Sequence, residues 1–481
     1  MKKIQIALLA VATLLLSLTM VGCKRKQQLD LLHSLPQDAS IVWVLDGASI
    51  YEKAGGEALQ EVLGSPVFSQ LSLLTKCIDV KHIVSFQEPI EEQLVITAKV
   101  TDAKGLKDLL LSASLSVKEE DGLYSTQIDD KALLFNDRQL WLAYNANSTE
   151  IAMESIKRTQ EQLPSFADTK GIDKMFDGDI GFYINPVKSV KEMVVLFGVD
   201  TQTFADNRIV GNISFEKKDI KSYFEVIDRE GKLFTGVVGK PMKIDSKILE
   251  YFPQSTNILF VQGSKNKDWQ QAYEKLPATW RTPAMRTVLS NLNGTTAFGA
   301  KLAEIYELPE TATIIAQVTK GKEKEVQQAV IKLMGIAPED LTYVDNIASL
   351  ENFLFGTIFI GYVEGAVYIS RSPIGINKPS FLENDLSRLA KDEKGYFLVD
   401  MRKGSSLNSI MQRTSLGEYY DLDAFIAFSS NGNTGEFVFH NEASTDKNIL
   451  EGIVRAIAKA DRDSDLEETV VVDQGQEESD Y

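Results

Sequence analysis

The 481-residue chain repeats itself at a nearly constant interval, so it is expected to fold as two related units rather than as one large domain. Leu32-His33-Ser34-Leu35-Pro36-Gln37 leads into Ile41-Val42-Trp43-Val44. Without a gap, 217 residues later, Leu249-Glu250-Tyr251-Phe252-Pro253-Gln254 leads into Ile258-Leu259-Phe260-Val261. Ser65-Pro66 recurs as Thr282-Pro283 at the same offset. Val95-Ile96-Thr97-Ala98-Lys99-Val100-Thr101 matches Thr313-Ile314-Ile315-Ala316-Gln317-Val318-Thr319 at 218, and Gly181-Phe182-Tyr183-Ile184 matches Gly395-Tyr396-Phe397-Leu398 at 214. One match is weak; four in the same order indicate an internal duplication.

The repeated unit reads as α+β. A strand (41–45 or 258–262), rich in β-branched and aromatic residues, follows the Leu/Phe-Pro-Gln turn. Ser65-Pro66 and Thr282-Pro283 each read as an N-cap with proline in the first helical turn, where its missing N–H costs nothing. The strand at 94–101 or 312–319 is apolar almost throughout, the pattern of a sheet-interior strand. An amphipathic helix follows, on Leu106, Leu109, Leu110 and Ala113 or on Val326, Ala329, Val330, Leu333 and Met334, with Gly335 as its stop. Short strands at 132–135 and 140–144, or 357–363 and 366–370, come next, then a second helix near 149–158. Gly365 falls where a tight hairpin needs positive φ. Strands and helices without regular βαβ alternation predict packed helices on a largely antiparallel or mixed sheet.

Placing the boundary near Gly239-Lys240-Pro241 gives lobes 31–240 and 241–460, each long enough to bury a core. Residues 461–481 carry nine acidic side chains against one basic, Arg462, and read as a disordered acidic tail. The formal charge of −17 argues against nucleic acid as a partner, because phosphate binding needs a basic footprint.

The N-terminus carries an address. Lys2 and Lys3 precede an uncharged apolar run, Ile4–Met20, which reads as a secretory signal covering residues 1–22. No other stretch approaches the roughly 18 apolar residues needed to span a bilayer. Met20-Val21-Gly22-Cys23 resembles the lipobox of bacterial lipoproteins, with Met20 in place of the commoner Leu. The resemblance implies cleavage between Gly22 and Cys23, a diacylglyceryl group on Cys23, and acylation of the new amino terminus by a chain such as palmitate. One acyl chain binds marginally at about 0.8 kcal/mol per methylene, whereas several on one residue anchor stably. Residues 23–30, with Lys24-Arg25-Lys26 and Gln27-Gln28, read as a solvated tether. Lipidation of Cys23 leaves Cys77 as a lone thiol at the end of an apolar helical pattern, where it reads as a small core residue.

No constellation for catalysis, cofactor or metal emerges. His33, His82 and His440 have neither a second His nor a Cys at zinc-ligand spacing. His33 reads as a linker residue and His440 as the end of a strand at 436–439. There is no Gly-x-Ser-x-Gly elbow, Walker A loop or dinucleotide fingerprint. Asp461-x-Asp463-x-Asp465 has half the acids of a calcium loop but lacks its turn glycine, Leu466 standing there. Trp43, Trp141, Trp269 and Trp280 are too scattered to form a carbohydrate platform, and packing is the default for the first two.

The signal and Cys23, the short polar linker and Leu35-Pro36-Gln37-Asp38-Ala39-Ser40-Ile41-Val42 together resemble an uncharacterised family of Bacteroidetes envelope lipoproteins, domain of unknown function 4836. That resemblance implies an envelope location and carries no activity or catalytic residue. Surface-exported lipoproteins of that group tend to show an acidic run after the Cys; its absence here favours an outer-membrane anchor facing the periplasm. The expected function is therefore a non-enzymatic, membrane-anchored protein that binds an envelope protein partner or ligand through its two lobes. The alternative is an envelope hydrolase of glycan or peptide using paired carboxylates.

Overall fold

The structure is a computed structural model that describes residues 30–87, 93–128, 131–144, 148–185, 207–233, 242–265, 269–270, 273–274, 276–302, 309–352, 356–376, 379–413 and 415–474. Gly22, Cys23, the signal and the Gly239-Lys240-Pro241 boundary lie outside the described residues. Among the described residues no helix is long and apolar enough to cross a membrane. The chain forms two compact units: described residues up to 185, 207–232 and 444–474 make unit 1, and those within 233–443 make unit 2.

Unit 1 is α+β on an antiparallel sheet. Its strands are β1 (Ile41–Leu45), β2 (Ile78–Gln87), β3 (Leu94–Val100), β4 (Lys118–Glu120) and β5 (Leu123–Ile128). They continue with β6 (Lys131–Phe135), β7 (Gln139–Tyr144), β8 (Ile180–Ile184), β9 (Asn207–Phe215) and β10 (Asp219–Asp228). The order is 4-5-6-7-3-2-1-8-9-10, antiparallel at every ladder. The helices are α1 (Gly47–Ala54), α2 (Gly56–Leu63), α3 (Ser65–Cys77), α4 (Ala103–Ser112) and α5 (Ser148–Gln160). One core, with Ile83, Ile96, Leu106, Phe135 and Leu142, also takes in Ala54, Ala58, Leu59 and Cys77 from α1–α3. A second holds Val42, Val44, Phe86, Trp141, Phe166 and Tyr183. Neighbours on one strand, such as Ile96 and Val95, divide between the two cores, as the pleat requires.

Unit 2 repeats this plan. Its strands are β11 (Ile258–Ser264), β12 (Leu292–Lys301), β13 (Thr311–Val318), β14 (Thr342–Val344) and β15 (Ile347–Asn352). Then come β16 (Gly356–Val363), β17 (Ala366–Ser370), β18 (Gly395–Met401), β19 (Ala424–Ser430) and β20 (Thr434–Asn441). Their order, 14-15-16-17-13-12-11-18-19-20, is that of unit 1 strand for strand. A register irregularity falls at the same place in both, between Asp79 and Ile83 and between Leu292 and Thr296. The helices are α6 (Pro283–Asn291), α7 (Glu323–Leu333), α8 (Ser406–Met411) and α9 (Ser415–Tyr419).

The proline turns anchor both units alike. Pro36 bridges to Ser165 and Pro253 to Ser380. Each serine opens a capping box on a 3-10 turn, with Asp168 in one and Glu383 in the other. The next residue, Phe166 or Phe381, is wholly buried, and its N–H donates to Leu35 O (3.1 Å) or Phe252 O (2.8 Å).

Three expectations need correction. The first is register: Tyr183 lies opposite Val42, but Leu398 lies opposite Leu259, so the two strands correspond at an offset of 215, not 214. Gly181 is thus the counterpart of Tyr396, and Tyr183 of Leu398. A one-residue slip exchanges the faces of a strand, and only this pairing puts Tyr183 and Leu398 both inward. The second is the helix start: Thr282 caps α6 by accepting from Met285 N, but α3 is capped by Gly64. Gly64 also closes α2 with φ +73°, so one left-handed glycine serves both ends. The sheet agrees with the largely antiparallel expectation, being antiparallel in every described ladder.

The third concerns the C-terminus. Residues 444–460 leave the second lobe and belong to unit 1, where α10 (Ile449–Gln474) packs against α1 and α2. The expected tail is helical to Gln474. Polar, acidic composition argues against burial but not against helix, and neither Gly nor Pro interrupts 453–474. The half calcium loop at Asp461–Asp465 therefore lies in a helix rather than a ligand loop.

Candidate functional site

Each unit carries a polar cleft at the same end of its sheet. In unit 2 the cleft encloses about 820 Å³, in unit 1 about 680 Å³. Both open where the proline turn enters the first strand, Gln254–Asn257 or Gln37–Ala39. The end of β18 with the start of β19, or of β8 with β9, supplies a second wall. The strand ends that follow, His440 to Glu442 or Asp228 to Glu230, supply a third.

Arg402 is the centre of the unit 2 cleft. Its Nε and Nη2 donate to Asp400 Oδ1 and Oδ2, both at 2.9 Å, and its Nη1 donates to both oxygens of Asp385 at 3.0 and 2.8 Å. Two carboxylates thus share one planar donor fork. Asp400, chiefly, and Asp385 hold the guanidinium more firmly protonated than usual. The cluster is tied to the fold: Asp400 N donates to Asn257 O at 2.7 Å, and Ser405 Oγ donates to Asp400 O at 2.7 Å. Asn257 is buried and clamps the chain from the other side, bonding Leu302 O (3.0 Å) and Ser406 Oγ (2.9 Å) and accepting from Leu302 N (3.0 Å). Ser406 Oγ in turn donates to Leu302 O. On the opposite wall His440 lies flat against Phe425, ring centroids 5.1 Å apart and 25° from parallel, with Nε2 3.1 Å from Glu442.

The unit 1 cleft is polar too but built differently. Asp228 Oδ1 accepts from the N–H groups of Glu230 and Lys232, both at 2.9 Å, and Lys170 pairs with Glu230 at 2.6 Å. Tyr183 lies on its wall, its phenol pushed up by burial. Asp168 is held below the usual carboxyl range, first by the Ser165 N–H and then by the Ser165 hydroxyl.

These arrangements restrict the chemistry. A carboxylate pair for glycoside cleavage must face a gap that admits the scissile bond. Between Asp385 and Asp400 that gap is filled by Arg402. The hydroxyls of Ser405 and Ser406 are spent on main-chain carbonyls. Among the described residues no three His, Cys, Asp or Glu side chains are placed to hold a metal.

The three histidines do not share a site. His33 closes a helical turn within unit 1, its Nδ1 3.4 Å from Ser165 Oγ. That contact sits beside Asp168, yet Ser165 is buried and serves the capping box, which in unit 2 uses Ser380 and Glu383 with no histidine. His82 is buried beside the irregularity in β2, 3.5 Å from Asp79. His440 lies inside β20, which runs two residues past the expected end. Trp141 is buried in the core and Trp43 lies 5.6 Å from Phe182. Cys77 is buried, and its thiol is pushed up first by burial and then by Asp102. The Arg402 cluster was missed. Its one trace in the sequence is Asp400-Met401-Arg402, acid and base on the same side of a strand end; Asp385 gives no local signal.

No family model matches the sequence, and no curated protein matches it. Among solved structures, crystal forms I, III and IV of TP0453 align at 7%, 5% and 5% identity, with TM-scores of 0.27, 0.27 and 0.28. They cover 46%, 42% and 41% of this chain and 86%, 81% and 79% of theirs. A likeness that remote carries no argument about fold or role.

Proposed function

We propose that this chain is a lipid-anchored envelope protein, held at the membrane through acyl chains on Cys23. Its two tandem units descend from a duplication and bind an envelope protein partner or ligand through their clefts. The observation that carries the binding part is the recurrence of a polar cleft at the same strand ends in two units of identical strand order. Rigid strand ends with loop-borne side chains are where folds place recognition residues. The filled space between Asp385 and Asp400 supports binding rather than hydrolysis. The anchor rests on the Gly22-Cys23 motif, the likeness to domain of unknown function 4836 supports the envelope location, and Lys24-Arg25-Lys26 in place of an acidic run after Cys23 supports an outer-membrane anchor facing the periplasm.

The test is in-cell crosslinking of the lipidated protein, with Cys23→Ala run alongside. The wild-type chain should fractionate with membranes, and Cys23→Ala should not. Crosslinks to an envelope component should map to the strand-end clefts. Membrane retention of Cys23→Ala would refute the anchor, and partners mapping reproducibly elsewhere would refute the clefts.

A further inference from the structure

We propose that the cleft of unit 2 is a carbohydrate site that takes a neutral oligosaccharide; this rests on the binding reading above and names its ligand class. Lys301, Arg388, Arg402 and Lys403 line the cleft, and so do Asp385, Asp400, Asp423 and Glu442. Four cations against four carboxylates leave no net field to draw in a phosphate, a polyanion or a basic peptide. Arg402 is turned inward on its two carboxylates rather than offered to an incoming anion. An apolar ligand fits no better, because it would strip water from charged groups such as Asp385, Arg388, Lys403 and Glu442 without replacing their hydrogen bonds.

A sugar meets these terms. Each of its hydroxyls both donates and accepts, so it can bond a carboxylate and a guanidinium or ammonium at once. Asp385 uses both oxygens on Arg402, but a carboxylate has about four lone-pair sites, so acceptor capacity remains on a side chain 59% exposed. Glu442, also 59% exposed and 3.1 Å from His440, is a second such acceptor. Nearby, the outer face of the His440 ring, whose inner face lies on Phe425, is the aromatic surface offered to the C–H face of a pyranose ring. The Arg402 cluster is already fixed by Asp400 and the main chain, so little side-chain freedom is lost on binding. At about 820 Å³ the cleft lies toward the upper end of the range for small-ligand sites, which suits several linked sugar units.

The experiment is calorimetric titration of the full mature protein in detergent with neutral oligosaccharides of glucose, mannose, xylose and N-acetylglucosamine. A heparin-derived oligosaccharide and an oligolysine serve as charged comparators. The expected result is binding of at least one neutral oligosaccharide with little dependence on salt. Asp385→Asn and Glu442→Gln should each weaken it roughly tenfold or more, the loss expected for a hydrogen bond to a charged group. Lys320→Ala, on an exposed pair outside the cleft, should leave it unchanged, and thermal melting should show all three variants folded. Binding of the charged comparators alone, or neutral binding indifferent to both cleft variants, would overturn the proposal. Crosslinks at the cleft with no sugar bound would overturn the ligand class and leave the binding reading standing. Absence of both would remove the two together.

Discussion

Removing α10 should destabilise unit 1 and leave unit 2 as it was, although the helix follows unit 2 in the chain. Helix α10 places Val454 and Leu450 in the core formed by Ala54, Ala58 and Leu59. It also lies tight against the α1–α2 junction, where a Cβ on Gly55 would come within 2.9 Å of the Glu451 side chain. Ile449 on the same helix is wholly buried as well; full burial of an aliphatic side chain contributes ~1.5–3 kcal/mol, so losing Ile449 and Val454 costs about 3–6 kcal/mol before the partly buried Leu450 and the uncovered partners are counted. Extended-chain references overstate such figures, so the lower half, about 3–4 kcal/mol, is the working value. Against a domain stability of ~5–15 kcal/mol this is a large fraction. For a unit of this size it corresponds to a melting shift of roughly 6–16 °C. The assay is calorimetry, with hydrogen exchange, on the mature chain and on one ending at Ala443. Two transitions are expected in the first. In the second, one should fall by about 10 °C, with exchange accelerated in α1 and α2, while the unit 2 segments keep their protection. Identical melting and exchange in the two proteins would refute the assignment of α10 to unit 1.

Other outcomes follow from single contacts. Asp179, buried, accepts from Lys53 Nζ (2.7 Å), Ser49 Oγ (2.6 Å) and Phe215 N (2.7 Å); Asp179→Ala should cost about 2–4 kcal/mol in urea unfolding of unit 1, and a change within error would refute that role. Asp79 is held below the ordinary carboxyl range, first by its hydrogen bond with His82. Its folded pKa is depressed, so its contribution is present above the unfolded carboxyl value and lost as pH falls through the folded one. Asp79→Asn should therefore flatten the acid limb of the stability profile, and an unchanged limb would count against the pairing. Gly361 lies under the buried Tyr368 ring; Gly361→Ala should destabilise unit 2 by ~1–3 kcal/mol through overcrowding, measurable by denaturant titration. Cys77 should resist a thiol reagent in the native protein and react only as unit 1 opens; immediate labelling would show it exposed.

The sequence reading reached the elements governed by local rules. Proline turns, an apolar interior strand and the α4 and α7 patterns are each visible in a window of a dozen residues. Register was harder, because Gly181-Phe182-Tyr183 and Gly395-Tyr396-Phe397 share letters while the ladders align Gly181 with Tyr396. Identity of residue type is a poor guide to which face a side chain takes when a glycine on one strand corresponds to a tyrosine on the other. Gly181 leaves no room for a Cβ beside the Met175 main chain, whereas Tyr396 reaches inward and donates to Leu386 O at 3.1 Å. The Arg402 cluster was illegible for a different reason. Asp385 and Arg402 meet only because a 3-10 turn and a strand end converge in three dimensions, and α10 joins unit 1 only by crossing the whole of unit 2 in sequence.

The two units show where a shared backbone constrains side chains and where it does not. Trp141 and Tyr368 occupy corresponding places, opposite Thr97 and Ile315 on the strands the repeat aligns. Their cross-strand partners are Leu134 and Gly361. Both rings are almost wholly buried, yet the tyrosine lies over a glycine and the tryptophan pairs with a leucine, so each core is filled by its own matched pair. The clefts share their walls but not their side-chain couplings: Arg402 with Asp385 and Asp400 fills one, and Lys170 with Glu230 the other. Arg208 in one unit and Phe425 in the other correspond on the cleft wall, while the core residue Ile227 corresponds to His440, which lines the unit 2 cleft. A cationic side chain next to an aliphatic one in unit 1 thus stands where unit 2 has two stacked aromatic rings.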